Sequence, residues 1–270
     1  MTMAKRSNPA VRIAQETAHN AVFDKDGKPK PGVHNMLLKA VEIQRPLVLA
    51  YIRRLQKKHP QATAAQLAGI LERDYLRAVT GGGAIVGATA VVPGVGTVAS
   101  LGLSAAATVG FLEATALYAT SLAELHGIRL TNPEKASTMV MAIMLGEEGT
   151  ALLGTLSGQM AGNGAGATKQ WGSVLSKSLP MPGFSTIRNR IQRAFLKNLL
   201  KRQGTALLGR ALPFGIGAVV GGAGNLVMGR AVVANAKEAF GPMPDSLPGE
   251  LTAAGTTDNQ LEGNTFGSQR

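Results

Sequence analysis

Between Arg77 and Glu113 no side chain carries a charge, and the stretch GGGAIVGATAVVPGVG inside that run is glycine, alanine, valine and little else. Side chains this small fill an interior only where backbones come close together. The strongest break is VVPGVG, so the run reads as two helices, about Thr80 to Val92 and about Thr97 to His126, joined by a turn. At 1.5 Å per residue the first would be roughly 20 Å long, against a hydrocarbon core of roughly 30 Å. It cannot span a bilayer alone.

The apolar content of the run sets its appetite for lipid. Eleven strongly apolar residues lie between Thr80 and Leu112. At roughly −0.3 to −0.6 kcal/mol each they offer about −3 to −7 kcal/mol, before Gly, Ser, Thr and Pro subtract from it. With a mean hydropathy of only +0.10, shallow or re-entrant insertion fits better than a stable span. The small residues also form helix faces. Gly83 and Gly87 are four apart, as are Gly102, Ala106 and Gly110, and such faces let helices touch where lipid removes the hydrophobic incentive to associate.

A second uncharged run, Ala211 to Gly229, contains AVVGGAGNL, which echoes AVVPGVGTV at 90–98. The echo favours a second hairpin with its turn at GGAG and Asn225 as the N-cap of the next helix. A continuous helix would instead put Gly217, Gly221, Asn225 and Gly229 on one face.

The net charge of +12 is concentrated. Between Gly149 and Lys237 there is no acid and there are eleven bases. A helix beginning at a Ser185 cap carries Ile187, Ile191, Phe195, Leu199 and Leu200 on one side, with Arg188, Arg190, Arg193, Lys197, Lys201 and Arg202 around them. Basic residues around an apolar stripe suit a helix lying among anionic lipid headgroups, with about 1 kcal/mol from each base. The same charge could serve nucleic acid, but only Phe195 and Trp171 are placed to stack on bases. No nucleic-acid partner is expected.

Other chemistries have little support. GGGAIVG and GIGAVVG fit G-x-G-x-x-x-G, yet each follows a helical pattern rather than the buried strand that dinucleotide binding needs. His19, His34, His59 and His126 lack metal-ligand spacing, there is no cysteine, and no nucleophile elbow occurs. Glu147 and Glu148 are neighbours that a helix would splay apart, and they read as a polar patch. No catalytic residue, metal or cofactor is predicted.

Elsewhere, Pro46 should start or kink a helix running from Leu37 to Leu55, and Thr63 with Gln66 forms a capping box for a helix through Leu67, Leu71 and Tyr75. TNPE at 131–134 opens a Met-rich helix predicted to run from Pro133 past Leu153. The fold expected is all-α: a helical bundle forming one domain over 34–240, with two Gly/Ala-rich apolar hairpins at about 80–126 and 205–240. Disorder is expected at 1–33 and 241–270. The amino terminus has no apolar h-region, so a secretory signal is not expected.

LERDYLRAVTGGGAIVGATAVVPGVGT, FLEATALYATSLAELHGI and LPFGIGAVVGGAGNLVMGRAVVANAKEAF, in that order, resemble the EcsC family of bacterial proteins, in particular an actinobacterial-type branch. The resemblance covers roughly 60–240 and includes Pro213, Gly217, Gly221, Asn225, Arg230 and Phe240. It implies a helical, membrane-associated protein and carries over no catalytic residue. Members often have an acidic or proline-containing motif in the first glycine hairpin; here Pro93 is present without the acid.

The residues thus point to a non-enzymatic protein at the cytoplasmic face of a membrane, peripheral or re-entrant. Its basic helix would bind anionic lipid, and its glycine faces would pack together, against a membrane protein or against a second copy of the chain. The alternative is a soluble helical carrier that encloses a lipid or another apolar ligand.

Overall fold

The computed structural model describes residues 30–89, 97–158, 175, 183–209 and 216–252. Among them every regular element is a helix, in the order α1 (Pro31–Ala40), α2 (Arg45–Lys58), α3 (Ala64–Thr89), α4 (Thr97–Leu125), α5 (Pro133–Leu145), α6 (Glu147–Gly158), α7 (Phe184–Gly209) and α8 (Ile216–Phe240). The all-α expectation holds.

The helix starts follow from local chemistry. Pro46 lies in the first turn of α2, where a missing N–H costs nothing. The Thr63 N–H donates to Gln66 Oε1 at 2.9 Å and the Gln66 N–H to Thr63 Oγ1 at 3.2 Å, completing the capping box of α3. Asn132 Oδ1 accepts from the Lys135 N–H at 3.1 Å and Pro133 follows it at the start of α5. The basic helix begins at Phe184, behind Gly183 with φ +79°. Ser185 therefore sits inside the first turn rather than capping it.

The core forms around α4 and α5. Helix α4 is contacted by α1, α2, α3, α5 and α8, and from Phe111 onward most of its side chains are buried. A helix covered on several sides needs no polar face, and α5 shows the same logic, buried continuously from Lys135 to Ile143. Two buried hydroxyls on α4 are satisfied locally, Thr115 and Thr120 donating to the carbonyls of Phe111 and Ala116, whereas those of Tyr118 and Ser121 have no partner.

Helices α3 and α4 run antiparallel. The Tyr75 and Tyr118 rings stack with centroids 4.8 Å apart, and the Tyr75 and Thr115 hydroxyls lie 2.9 Å apart. Helix α8 lies antiparallel to α3 on another side, since Gly229 meets Leu76 and Val79 while Lys237 pairs with Glu72 at 2.7 Å.

Four expectations require correction. The helix expected from about Thr80 is not separate but the second half of α3, which runs unbroken from Ala64 to Thr89; the expected turn at VVPGVG lies outside the described residues. GGAG is not a turn: α8 is continuous from Ile216, and its partner is α3 rather than the helix before it. The Met-rich helix stops at Gly146, whose φ of +71° reverses the chain into α6, so Glu147 and Glu148 are exposed in the first turn of α6.

The fourth correction concerns the ends of the domain. Helix α1 already includes residues 31–33, and the chain beyond Gly241 packs as far as Thr252. Leu251 is buried, and Glu250 binds Arg45 and Arg129 at 3.0 and 2.9 Å. Residues 1–29 and 253–270 lie outside the described residues.

Candidate functional site

Helices α3, α4 and α8 contact one another pairwise, and their directions bring three uncharged segments to one end of the bundle. These are the α3 end from Ala78, the α4 start up to Leu112 and the α8 start up to Gly229. At 1.5 Å per residue the segments are roughly 18, 24 and 21 Å long, more than half of a hydrocarbon core of roughly 30 Å. No helix among the described residues is long and apolar enough to cross a membrane.

Exposure follows the same division. Ala78, Gly81 and Gly82 on α3, Ala106 and Gly110 on α4, and Ala223 and Gly224 on α8 are all exposed. Val227 is 66 % exposed, one of three large apolar side chains so placed among the described residues. Around the base of this end stand the exposed ions Arg73, Arg77, Arg230 and Glu113, a collar in which cations predominate. Sequence reasoning named Arg77 and Glu113 only as flanking charges and Arg230 only within the family resemblance, and left Arg73 out. Their signal was present: each lies at or within one helical turn of the border of an uncharged run.

Glycine-mediated packing is seen at Gly229, on the face that a continuous helix shares with Gly217, Gly221 and Asn225. A Cβ on Gly229 would stand 3.0 Å from Val79 Cγ2 and 3.1 Å from Leu76 Cδ2, so α8 reaches α3 closely because that residue has no side chain. Asn225 Nδ2 donates to the Val79 carbonyl at 3.0 Å one turn away; it ties two helices together and caps neither. Gly110 is exposed, and a Cβ there would meet nothing within 4 Å. Gly83, Gly87, Gly102, Gly217 and Gly221 lie in helices but outside the residues whose surroundings are described.

The basic helix α7 differs from the interfacial helix expected of it. Ile191, Phe195 and Leu196 are buried where α7 packs on α5 and α6, so its apolar side is already covered by protein. Arg188 Nη1 is committed to Glu134 Oε2 at 2.7 Å. Arg190, Arg193 and Lys197 remain as an exposed basic face, and the side chains of Lys201 and Arg202 lie outside the described residues.

Two cavities adjoin the α3 surface. An open groove of about 510 Å³ between α3 and α8 is lined by Gly69, Glu72, Arg73, Leu76, Arg77, Thr80, Gly81 and Leu226. A smaller cavity of about 180 Å³ lies farther from the uncharged end, beside Glu72, Tyr118, His126 and Lys237. The buried Tyr118 hydroxyl there has no hydrogen-bond partner. Burial, with the nearby Glu72 carboxylate, pushes its ionisation upward, so it is a neutral hydroxyl and not an activated base. Comparison with protein-family models, curated proteins and solved structures finds no match.

Proposed function

We propose that this chain is a non-enzymatic, membrane-surface protein that docks on an anionic bilayer with one end of its helical bundle. The observation that carries this reading is the meeting of three uncharged helix ends behind a collar of Arg73, Arg77 and Arg230. In water, exposed alanine, valine and backbone at that end gain nothing from their surroundings, whereas a single leaflet accepts them without desolvating a charge. The collar then lies at headgroup depth, where each cation contributes about 1 kcal/mol near anionic lipid.

The proposed mechanism is binding. Arg190, Arg193 and Lys197 on α7 add a longer-range attraction that steers approach and fades within about one Debye length. The EcsC resemblance of residues 60–240 carries the same expectation of a helical, membrane-associated protein, held here at the cytoplasmic face.

Sedimentation with vesicles tests the reading. The full chain should pellet with phosphatidylcholine vesicles containing roughly a third phosphatidylglycerol, pellet poorly with pure phosphatidylcholine, and be partly released by about 0.5 M NaCl. Val227→Asp puts a carboxylate on the exposed apolar position and should weaken pelleting by at least about tenfold, because a charge at membrane depth costs on the order of 2–3 kcal/mol. A protein that stays in the supernatant with both vesicle types overturns the proposal. Lipid recovered with that supernatant protein would favour the soluble carrier instead.

A further inference from the structure

We infer that the groove between α3 and α8 holds one anionic phospholipid, its phosphate between Arg73 and Arg77 and one acyl chain along Leu76, Gly81 and Leu226. The inference rests on the membrane-docking reading for the source of the lipid. The fit rests on the groove itself.

Four observations converge on this occupant. The groove volume of about 510 Å³ falls within the roughly 300–1,000 Å³ common for ligand sites, and the groove is shallow and open to the surface, so a lipid can enter it without any opening motion. Arg73 and Arg77 stand four apart on one helix face, a spacing at which like charges repel. Neither has an acidic group within 4 Å among the described residues. A phosphate between them removes the repulsion and accepts hydrogen bonds from both guanidinium groups.

Thr80 supplies the third observation. Thr115, Thr120, Thr138 and Thr150 each return their hydroxyl to the carbonyl four residues back, but the buried Thr80 hydroxyl has no partner. Thr80 lines the groove one turn beyond Arg77, and a χ1 rotation would turn its unpartnered hydroxyl toward a lipid ester or phosphate oxygen. The fourth is the order of chemistry along the groove: cations stand beside its middle, level with Leu76, and uncharged Thr80, Gly81 and Leu226 lead toward the bundle end. That order matches an amphiphile with its tail pointing into the membrane. Glu72, at the far end, is neutralised by Lys237 at 2.7 Å and does not repel the headgroup.

Calorimetric titration of the full chain with dihexanoyl phosphatidylglycerol below its micellar concentration, and separately with glycerol phosphate, tests the assignment. The short-chain lipid should saturate at one per chain and bind at least about tenfold tighter than glycerol phosphate. Gly81→Phe blocks the groove at a position where a Cβ would meet no atom within 4 Å. It should cost about tenfold in lipid affinity with an unchanged melting curve. Arg73→Gln combined with Arg77→Gln, both exposed, should cost at least as much.

Equal affinity of wild type and Gly81→Phe for the lipid overturns the inference, as does glycerol phosphate binding as tightly as the lipid. Lipid binding that emerges only when residues 1–29 or 253–270 are deleted also overturns it, by giving the groove to the chain's own tail. Vesicle pelleting separates the two proposals. Pelleting without saturable short-chain binding defeats the groove alone, whereas saturable binding without pelleting defeats the docking reading and leaves the groove standing.

Discussion

The Asn225 side-chain amide donates to the Val79 carbonyl at 3.0 Å across 146 positions of sequence, and it does so at the base of the uncharged end. That carbonyl lies within α3, so the bond fixes how far α8 is advanced along α3 rather than closing a helix terminus. Asn225→Ala should lower stability by about 1 kcal/mol, a typical net hydrogen-bond contribution. In a domain this size that is a fall of about 2–4 °C in Tm. Thermal denaturation followed by circular dichroism measures it.

One turn along, Gly229 tests the close approach of the same two helices. A Cβ would meet Val79 and Leu76 side chains at 3.0 and 3.1 Å, and those groups can yield by a few tenths of an ångström. Gly229→Ala should therefore be near neutral, the roughly 0.5–1 kcal/mol gain in helix propensity offsetting the crowding. Gly229→Leu has no such room and should destabilise by about 1–3 kcal/mol. Equal melting temperatures for the two variants would show that α8 does not pack on α3 in this way.

Gly149 is less forgiving, because its Cβ would lie 2.7 Å from Ala142 Cα and 2.8 Å from the Ala142 carbonyl carbon. Backbone cannot swing aside as a side chain can. Gly149→Ala should cost about 3 kcal/mol or more despite its better helix propensity, seen as a lower urea midpoint. Asn235 supports the same corner by donating to the Ile143 carbonyl at 2.9 Å.

Arg45 straps the segment after α8 to the core. Its guanidinium pairs with the buried Glu124 at 2.7 Å and with Glu250 at 3.0 Å. Hydrogen bonding to Arg45 holds the Glu250 carboxyl below the ordinary glutamate range. A depressed folded-state pKa stabilises the fold above the unfolded value of about 4.3 and loses that contribution as pH falls through the folded value. Glu250→Gln should thus lower Tm slightly at pH 7 and make little difference at the acid end of the same titration. Arg45→Ala should cost about 3–5 kcal/mol, since it leaves Glu124 buried without its cation.

How much of this was legible in sequence depends on whether the signal was local. Capping at Thr63 and Asn132 needs only residues three apart, and both caps form as read. Asn225 and Gly229 depend on α3, far away in the chain, and the echo between two glycine-rich segments pointed to a turn that α8 does not make. Helix α7 shows the same limit. Apolar spacing marked Ile191 and Phe195 as one face, but spacing is silent on whether protein or lipid covers it, and α5 and α6 cover it. The strap to Glu250 was hidden because GPMPDSLPGE has the composition of a loose tail, and distant partners hold it in place, among them Arg45, Arg129, Gln56 and the core around Met243, Leu247 and Leu251.

The placement of charge yields the sharpest test of which surface meets the membrane. If the uncharged end enters the leaflet, Arg77 and Arg230 are held against phosphates, whereas Arg190 and Arg193 act from a helix whose apolar side is buried in protein. Replacing Arg77 and Arg230 together by Gln should remove about 2 kcal/mol near an anionic surface, close to a 30-fold loss of vesicle affinity at low salt. Replacing Arg190 and Arg193 together by Gln removes the same formal charge and should cost only a few-fold, because attraction at a distance is screened within about 10 Å at 0.1 M salt. The two variants should converge as salt rises. Because all four side chains are exposed, neither double variant should alter melting by more than about 1 kcal/mol, so a difference in pelleting reports contact and not unfolding. A larger loss from the α7 pair would put that basic face, and not the three-helix end, against the lipid.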